Sequence, residues 1–261
     1  MTLALRTRSY TKLGNTYFRD NNYNGTRGES LWESAPVLAA ITDPAFYHLF
    51  RDHFHQLDVT ATTGQWAVVK DGSVAGSVLD VAGGWAQILT DVNDNDEFYL
   101  SSIGEHWLFA ATKPLWFEAR LQLTEANTDD ANIIVGLSDT VGANTLLDDG
   151  AGPAASYDGA VFFKVDGGTV WQFETSNAGT QVTDTNVGAF SSGTATRLGF
   201  TFDPSNGTTG ILTPYVNGVA GTERNITLAG LEEMHLLFGV KAGGANAETL
   251  KLDYVQVLQV L

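Results

Sequence analysis

A chain of 261 residues, 43% of them apolar and with 28 Gly and 6 Pro, is long enough for a full core and rich in turn formers. It has no Cys, which excludes a disulfide framework and any thiolate metal site. A net charge of −16 argues against non-specific nucleic-acid binding, and no run approaches the ~18 apolar residues of a membrane-spanning helix.

The charge is unevenly spread. Residues 1–28 carry Arg6, Arg8, Lys12, Arg19 and Arg27 against Asp20 alone, whereas residues 61–261 hold eight Lys/Arg and 24 Asp/Glu. A basic arm on an acidic body reads as a segment that docks on an acidic neighbour or a sister subunit; the plainer alternative is chance charge. Residues 1–42 show no sustained period of 2 or 3.6. Yet Tyr10, Tyr17, Phe18, Tyr23, Leu31 and Trp32 make them too aromatic for a free tail. The expected division is therefore an extended arm over 1–42 and a single domain over 43–261. The first nine residues contain no apolar stretch of signal-peptide length, so the expectation is synthesis in the cytosol without general secretory export.

At Asp43-Pro44 an N-cap acid followed by Pro predicts a short helix over 44–50, with Phe46, Phe50, Phe54 and Leu57 on one helical face. Phe50, Asp52, Phe54 and Asp58 also alternate, so a strand entry is expected after it. From Gln65 onward the pattern is β. Strands are predicted at 65–70, 77–81, 84–90, 97–101, 115–124, 132–138, 160–165, 169–175, 180–187, 196–203, 211–217, 222–228, 235–241 and 249–258. Over 115–123 the alternation is clean: Leu115, Phe117, Ala119, Leu121 and Leu123 face one way, and Trp116, Glu118, Arg120 and Gln122 the other. Asp166-Gly-Gly168 reads as a hairpin turn, and Asn217-Gly218 ends another strand. Many short strands with such turns predict an all-β, antiparallel two-sheet sandwich or a barrel.

Several runs carry a resemblance. Asp52-His-Phe54-His-Gln-Leu57-Asp58 followed by Trp66 resembles the opening of concanavalin A-like (laminin G-like) jelly rolls. Leu115-Trp-Phe-Glu-Ala-Arg120 resembles their central strand, Pro214-Tyr-Val-Asn-Gly218 a late hairpin, and Leu252-Asp-Tyr-Val-Gln-Val257 their closing strand. The order of these motifs across about residues 50–260 is more specific than any one of them. Within that superfamily, the runs Lys113–Arg120, Gly167–Glu174 and Phe238–Glu248 are most similar to structural proteins of tailed bacteriophages. That resemblance implies a non-enzymatic virion protein decorating the capsid surface and made in the host cytoplasm. Its implied partners are the major capsid protein and further copies of itself, as a homo-oligomer with a trimer the first candidate. On this reading Arg6, Arg8, Tyr10, Lys12, Tyr17, Phe18, Arg19, Arg27 and Trp32 form the capsid or subunit interface, with Arg and aromatic side chains as anchors.

The alternative is a carbohydrate-binding, lectin-like adhesion module for a host glycan. Trp116, Glu118 and Arg120 are its candidate residues, since they share the face opposite the core face. A retaining glycanase needs two carboxylates about 5–5.5 Å apart. The family's E-x-D-x-x-E and E-x-D-x-E runs are absent; Glu118 stands alone and reads more simply as part of a charge pair on an exposed face. Adjacent Glu232 and Glu233 face opposite ways on a strand and cannot form the acid pair. Asp91-Val-Asn-Asp-Asn-Asp-Glu97 gathers hard oxygen ligands, so Asp91, Asn93, Asp94 and Asp96 are candidates for calcium. The run departs from the EF-hand pattern, with Asp96 where Gly is needed, and a solvated acidic turn is the simpler reading. His53 and His55 share a face if strand-like, but no third ligand is evident. Beyond that calcium candidate no cofactor is expected.

Overall fold

The computed structural model describes residues 7–12, 15–20, 31–57 and 64–261. Two antiparallel sheets stack into a sandwich. One has seven strands: β4 (Trp66–Lys70), β7 (Glu97–Ser102), β9 (Ala131–Ser138), β10 (Gly159–Lys164), β11 (Val170–Asn177), β12 (Thr180–Ala189) and β17 (His235–Ala242), in the order β12-β11-β10-β9-β17-β7-β4. The other has nine: β3 (Tyr47–Asp52), β5 (Ala75–Leu79), β6 (Trp85–Leu89), β8 (Leu115–Thr124), β13 (Ala195–Asp203), β14 (Thr209–Val216), β15 (Val219–Ala220), β16 (Arg224–Thr227) and β18 (Thr249–Val260). Its main path is β15-β14-β13-β8-β18-β6-β5, with β16 on β14 and β3 on β18. A separate hairpin, β1 (Thr7–Lys12) and β2 (Asn15–Asp20), joins neither large sheet.

The period-2 pattern of β8 sets the layering. Leu115, Phe117, Ala119, Leu121 and Leu123 are each at most 1% exposed and face the inter-sheet core. There they meet Ile133, Val135, Phe162, Trp171, Phe173, Phe238 and Val240 from the seven-stranded sheet. The Asn217-Gly218 turn joins β14 to β15 with both residues at positive φ (53° and 83°), which suits Asn and Gly.

The predicted helix over 44–50 does not form. The helix, α1 (Val37–Thr42), lies earlier, and Asp43 is its C-cap residue, with its N–H donating to the Ala39 carbonyl at 2.8 Å. Pro44 follows the helix rather than starting one, the usual place for Pro after a helix end. Residues 47–52 pair with β18 from Tyr47↔Val260 to Asp52↔Val255, and that ladder satisfies more backbone groups than one helical turn can. Phe46 is exposed while Phe50 packs on the core, so the apparent helical face does not exist.

Both outer faces carry chain laid over them. On the nine-stranded sheet, the 3₁₀ turn Leu31–Ser34 and α1 bury Leu31, Ala35 and Ala40 against Trp116 and Leu258. Gly199 lies directly beneath: a Cβ there would sit 2.6 Å from the Leu31 Cδ1. Residues 31–42, read from sequence as part of the arm, are thus packed on the sandwich. On the seven-stranded sheet, loop 139–158 brings Leu146 and Tyr157 onto Tyr99, Ile134, Val161, Phe163 and Leu237 to make a second small core.

Candidate binding face

Beneath loop 139–158 a charged group is sealed in. Lys241, 1% exposed, donates to Glu97 Oε2 at 3.1 Å, Asn144 Oδ1 at 2.8 Å and the Leu146 carbonyl at 3.2 Å, and pairs with Asp148 at the rim. Tyr99 donates its hydroxyl to Glu97 Oε2 at 2.8 Å and accepts the Leu146 N–H at 2.9 Å. Burial, reinforced by the Glu97 charge, pushes the Tyr99 phenol well above its ordinary value and keeps it a donor. This face is filled by the protein's own loop.

The face that the described residues leave uncovered is the part of the nine-stranded sheet beyond the strap formed by residues 31–42. β8 presents Glu118, Arg120 and Gln122 outward, and the registers set them beside Arg197 of β13, Tyr254 and Lys251 of β18, and across to Gln87 of β6. A bulge between Leu252 and Tyr254 inserts Asp253, which forms an ion pair with Arg120. The Arg120 guanidinium also lies 5.0 Å from the Trp85 ring centroid. Glu118 is 7% exposed; its Oε1 accepts from the Tyr254 hydroxyl at 2.7 Å and the Gln256 amide at 3.5 Å, and Arg51 donates to Gln256 Oε1 at 3.0 Å. Burial first, and the Glu118 charge second, raise the Tyr254 phenol above its ordinary value, so it too stays protonated. His53 borders the group, its ring centroid 5.9 Å from both His55 and Tyr254.

The sequence candidates separate on this frame. Glu118 and Arg120 share the open face as expected, but they do not pair: Arg120 takes Asp253 and Glu118 takes Tyr254. Trp116 is outward-facing yet 8% exposed, because the strap covers it and its Nε1 donates to Ser34 Oγ at 3.2 Å. It is a packing residue and offers no free ring to a sugar. Trp32 is half-buried in the same strap. Arg8, Tyr10, Lys12, Tyr17, Phe18 and Arg19 lie on the separate hairpin, whose register sets Arg8 opposite Arg19 and Tyr10 opposite Tyr17. Arg6 and Arg27 lie outside the described residues.

In the acidic turn, Asp91 Oδ1 accepts the adjacent Val92 N–H at 2.7 Å, and Asn93 donates to Asp96 Oδ2 at 3.2 Å. Asp94 is exposed. Among the described residues no three His, Asp or Glu side chains gather as metal ligands. Glu232 and Glu233 are exposed. Trp85, Asp253, Tyr254 and Lys251 were missed as site residues. The signal was present for β18: inward positions run Leu250, Leu252, Val255, Val257, and the skipped beat marks the bulge that turns Asp253 toward Arg120.

No protein-family model and no curated protein matches the chain. Solved structures do. An endo-1,3-β-glucanase from Streptomyces sioyaensis superposes with a TM-score of 0.55 at 13% identity, covering 83% of this chain and 98% of that one. An endo-β-1,4-glucuronan lyase from the fungus Trichoderma reesei gives 0.55 at 11%, covering 80% and 94%. The potassium-bound carbohydrate recognition domain of Emp46p gives 0.52 at 12%, covering 78% and 93%. Likeness at these identities shows the fold alone: the two sheets are arranged as in these jelly-roll sandwiches.

Proposed function

We propose that the protein is a non-catalytic virion component of a tailed bacteriophage, a sandwich displayed on the capsid surface and held there through its N-terminal segment. The observation that carries this is the hairpin. It pairs with neither large sheet and meets the body at the Leu31–Ser34 turn, and a two-stranded sheet alone is marginal in water. Its register sets the basic positions Arg8 and Arg19 opposite each other, which concentrates positive charge on one short strand pair. Acidic groups of the capsid lattice would pair with that charge, while the strap at Leu31–Ala40 fixes where the segment leaves the body. Copies arrayed on a lattice, as a homo-oligomer, would multiply weak contacts into avidity. The absence of enzymatic activity belongs to the same proposal, and it is supported by the lack of the paired-carboxylate run that a retaining glycanase of this fold carries on one strand.

Co-sedimentation with empty capsids at low and high salt tests it. Saturable binding that weakens at high salt and disappears when residues 1–30 are removed is expected. Full-strength binding by the truncated protein would refute the arm, and no binding at either salt would refute the capsid role.

A second reading, saccharide binding, is favoured by one observation. The open face sets a half-buried Trp85 beside Arg120, Gln87 and Lys251, an aromatic ring among planar amide and cationic donors. The two readings are compatible in one displayed protein.

A further inference from the structure

Residues 31–261 contain nine Lys and Arg against 28 Asp and Glu, so a cation on this body is scarce. Lys164 and Lys241 are buried in ion pairs with Glu125 and Glu97, and Arg224 is tied to Asp184 at 2.8 Å. Of the remaining six, four stand on the open face: Arg51, Arg120, Arg197 and Lys251. The strands that carry these cations hold four acids: Glu118 and Asp253 stand beside them and each already has a hydrogen-bonding partner, Asp52 accepts from the Trp66 indole N–H, and Asp203 ends β13. A strongly acidic body has gathered most of its unburied positive charge in one place.

We propose that this face binds an acidic saccharide, one carrying carboxylate or sulfate groups; the inference rests on the saccharide reading above. Lys251 and Arg197 are the charge partners for the anionic substituents, because neither forms an ion pair among the described residues. Arg120 stays fixed by Asp253 and keeps further N–H groups facing the ligand. Gln87, beside Lys251 in the ladder, offers an amide to ring hydroxyls. Trp85 gives the apolar side of a sugar ring a surface, its orientation set by the guanidinium over it. The centre of the face sets Trp85 and Tyr254 among amides and cations rather than in the apolar patch that protein interfaces bury. A hydroxyl-rich anion fits it better than an acidic protein does.

The test uses the full chain and fluorescence titration at 50 and 300 mM salt with four probes: polygalacturonate oligomers, heparin fragments, neutral dextran oligomers and a single-stranded oligonucleotide of matched charge. Binding to an acidic saccharide, weakened several-fold at the higher salt and at least tenfold by Lys251→Glu or Trp85→Ala, is expected. Lys70→Glu, the same charge change on an exposed residue of the other sheet, should leave it within twofold. Thermal unfolding of each variant confirms that the sandwich persists. Binding of neutral dextran alone, indifferent to Lys251→Glu, would overturn the acidic-ligand inference and leave the saccharide reading standing. Binding of no saccharide would overturn both, and equal binding of the oligonucleotide would overturn the saccharide in favour of any polyanion.

Discussion

Glu248 gives the fold a defined pH dependence. Its side chain is fully buried, Oε2 accepts the Ala126 N–H at 3.1 Å, and Oε1 has no partner. Burial above all, then the charges of Glu125 and Asp130, raises the carboxyl from 4.5 to about 7. The folded protein therefore holds this proton more tightly than the unfolded chain. The stability it confers is complete below pH 4.5 and is lost as the pH rises through 7. At about 1.4 kcal/mol for each pH unit of displacement, ionising Glu248 in the fold costs up to about 3 kcal/mol. The effective dielectric inside a protein exceeds that of a dry interior, so roughly half is expected. Glu248→Gln keeps an acceptor for Ala126 and removes the charge. In urea unfolding at pH 4 the variant should match the parent, and at pH 8 it should be more stable by about 1–3 kcal/mol. A stability difference that is the same at both pH values would refute the assignment.

Two further outcomes follow from the other charged groups. Lys241→Ala strands Glu97 beneath loop 139–158 and should cost about 3–5 kcal/mol in chemical denaturation, with Glu97→Gln in the same chain restoring part of it. Calcium at millimolar concentration should leave the thermal midpoint unchanged, because Asp91 and Asp96 are already engaged within their own turn; a rise of several degrees would restore the acidic turn as a metal site.

The layering of the sandwich was legible because it is local. Leu115 to Leu123 alternate within one strand, and their burial follows from that alternation. What covers the sheets was not legible, because coverage depends on contacts between distant residues. Lys241 and Glu97 are 144 positions apart, Tyr254 and Glu118 136, and Trp116 and Ser34 82. Loop 139–158 reads as polar turn sequence, and its packing on Tyr99 depends on Gly239, where a Cβ would stand 2.4 Å from that ring. The helix misplaced to 44–50 is a case of tertiary pairing overriding a good local cap signal. The open face was half readable: Glu118 and Arg120 declared a shared face, while their partners Tyr254 and Asp253 came into phase only through the β18 bulge.

The strap connects the readings, because a force or contact on the N-terminal segment reaches the body through Leu31 and Trp116. If residues 31–42 are part of the cooperative unit, Leu31→Ala and Trp116→Ala should each destabilise the whole protein, the latter by about 3–5 kcal/mol. Because the two side chains pack in one cluster, the double variant should lose less than the sum, with a coupling of about 0.5–3 kcal/mol. Additive losses would mean that the strap and the sheet are stabilised independently. Limited proteolysis separates the cases: a parent resistant between residues 31 and 46, made cleavable there by Trp116→Ala while β8 stays protected, shows the strap released from a sandwich that remains folded.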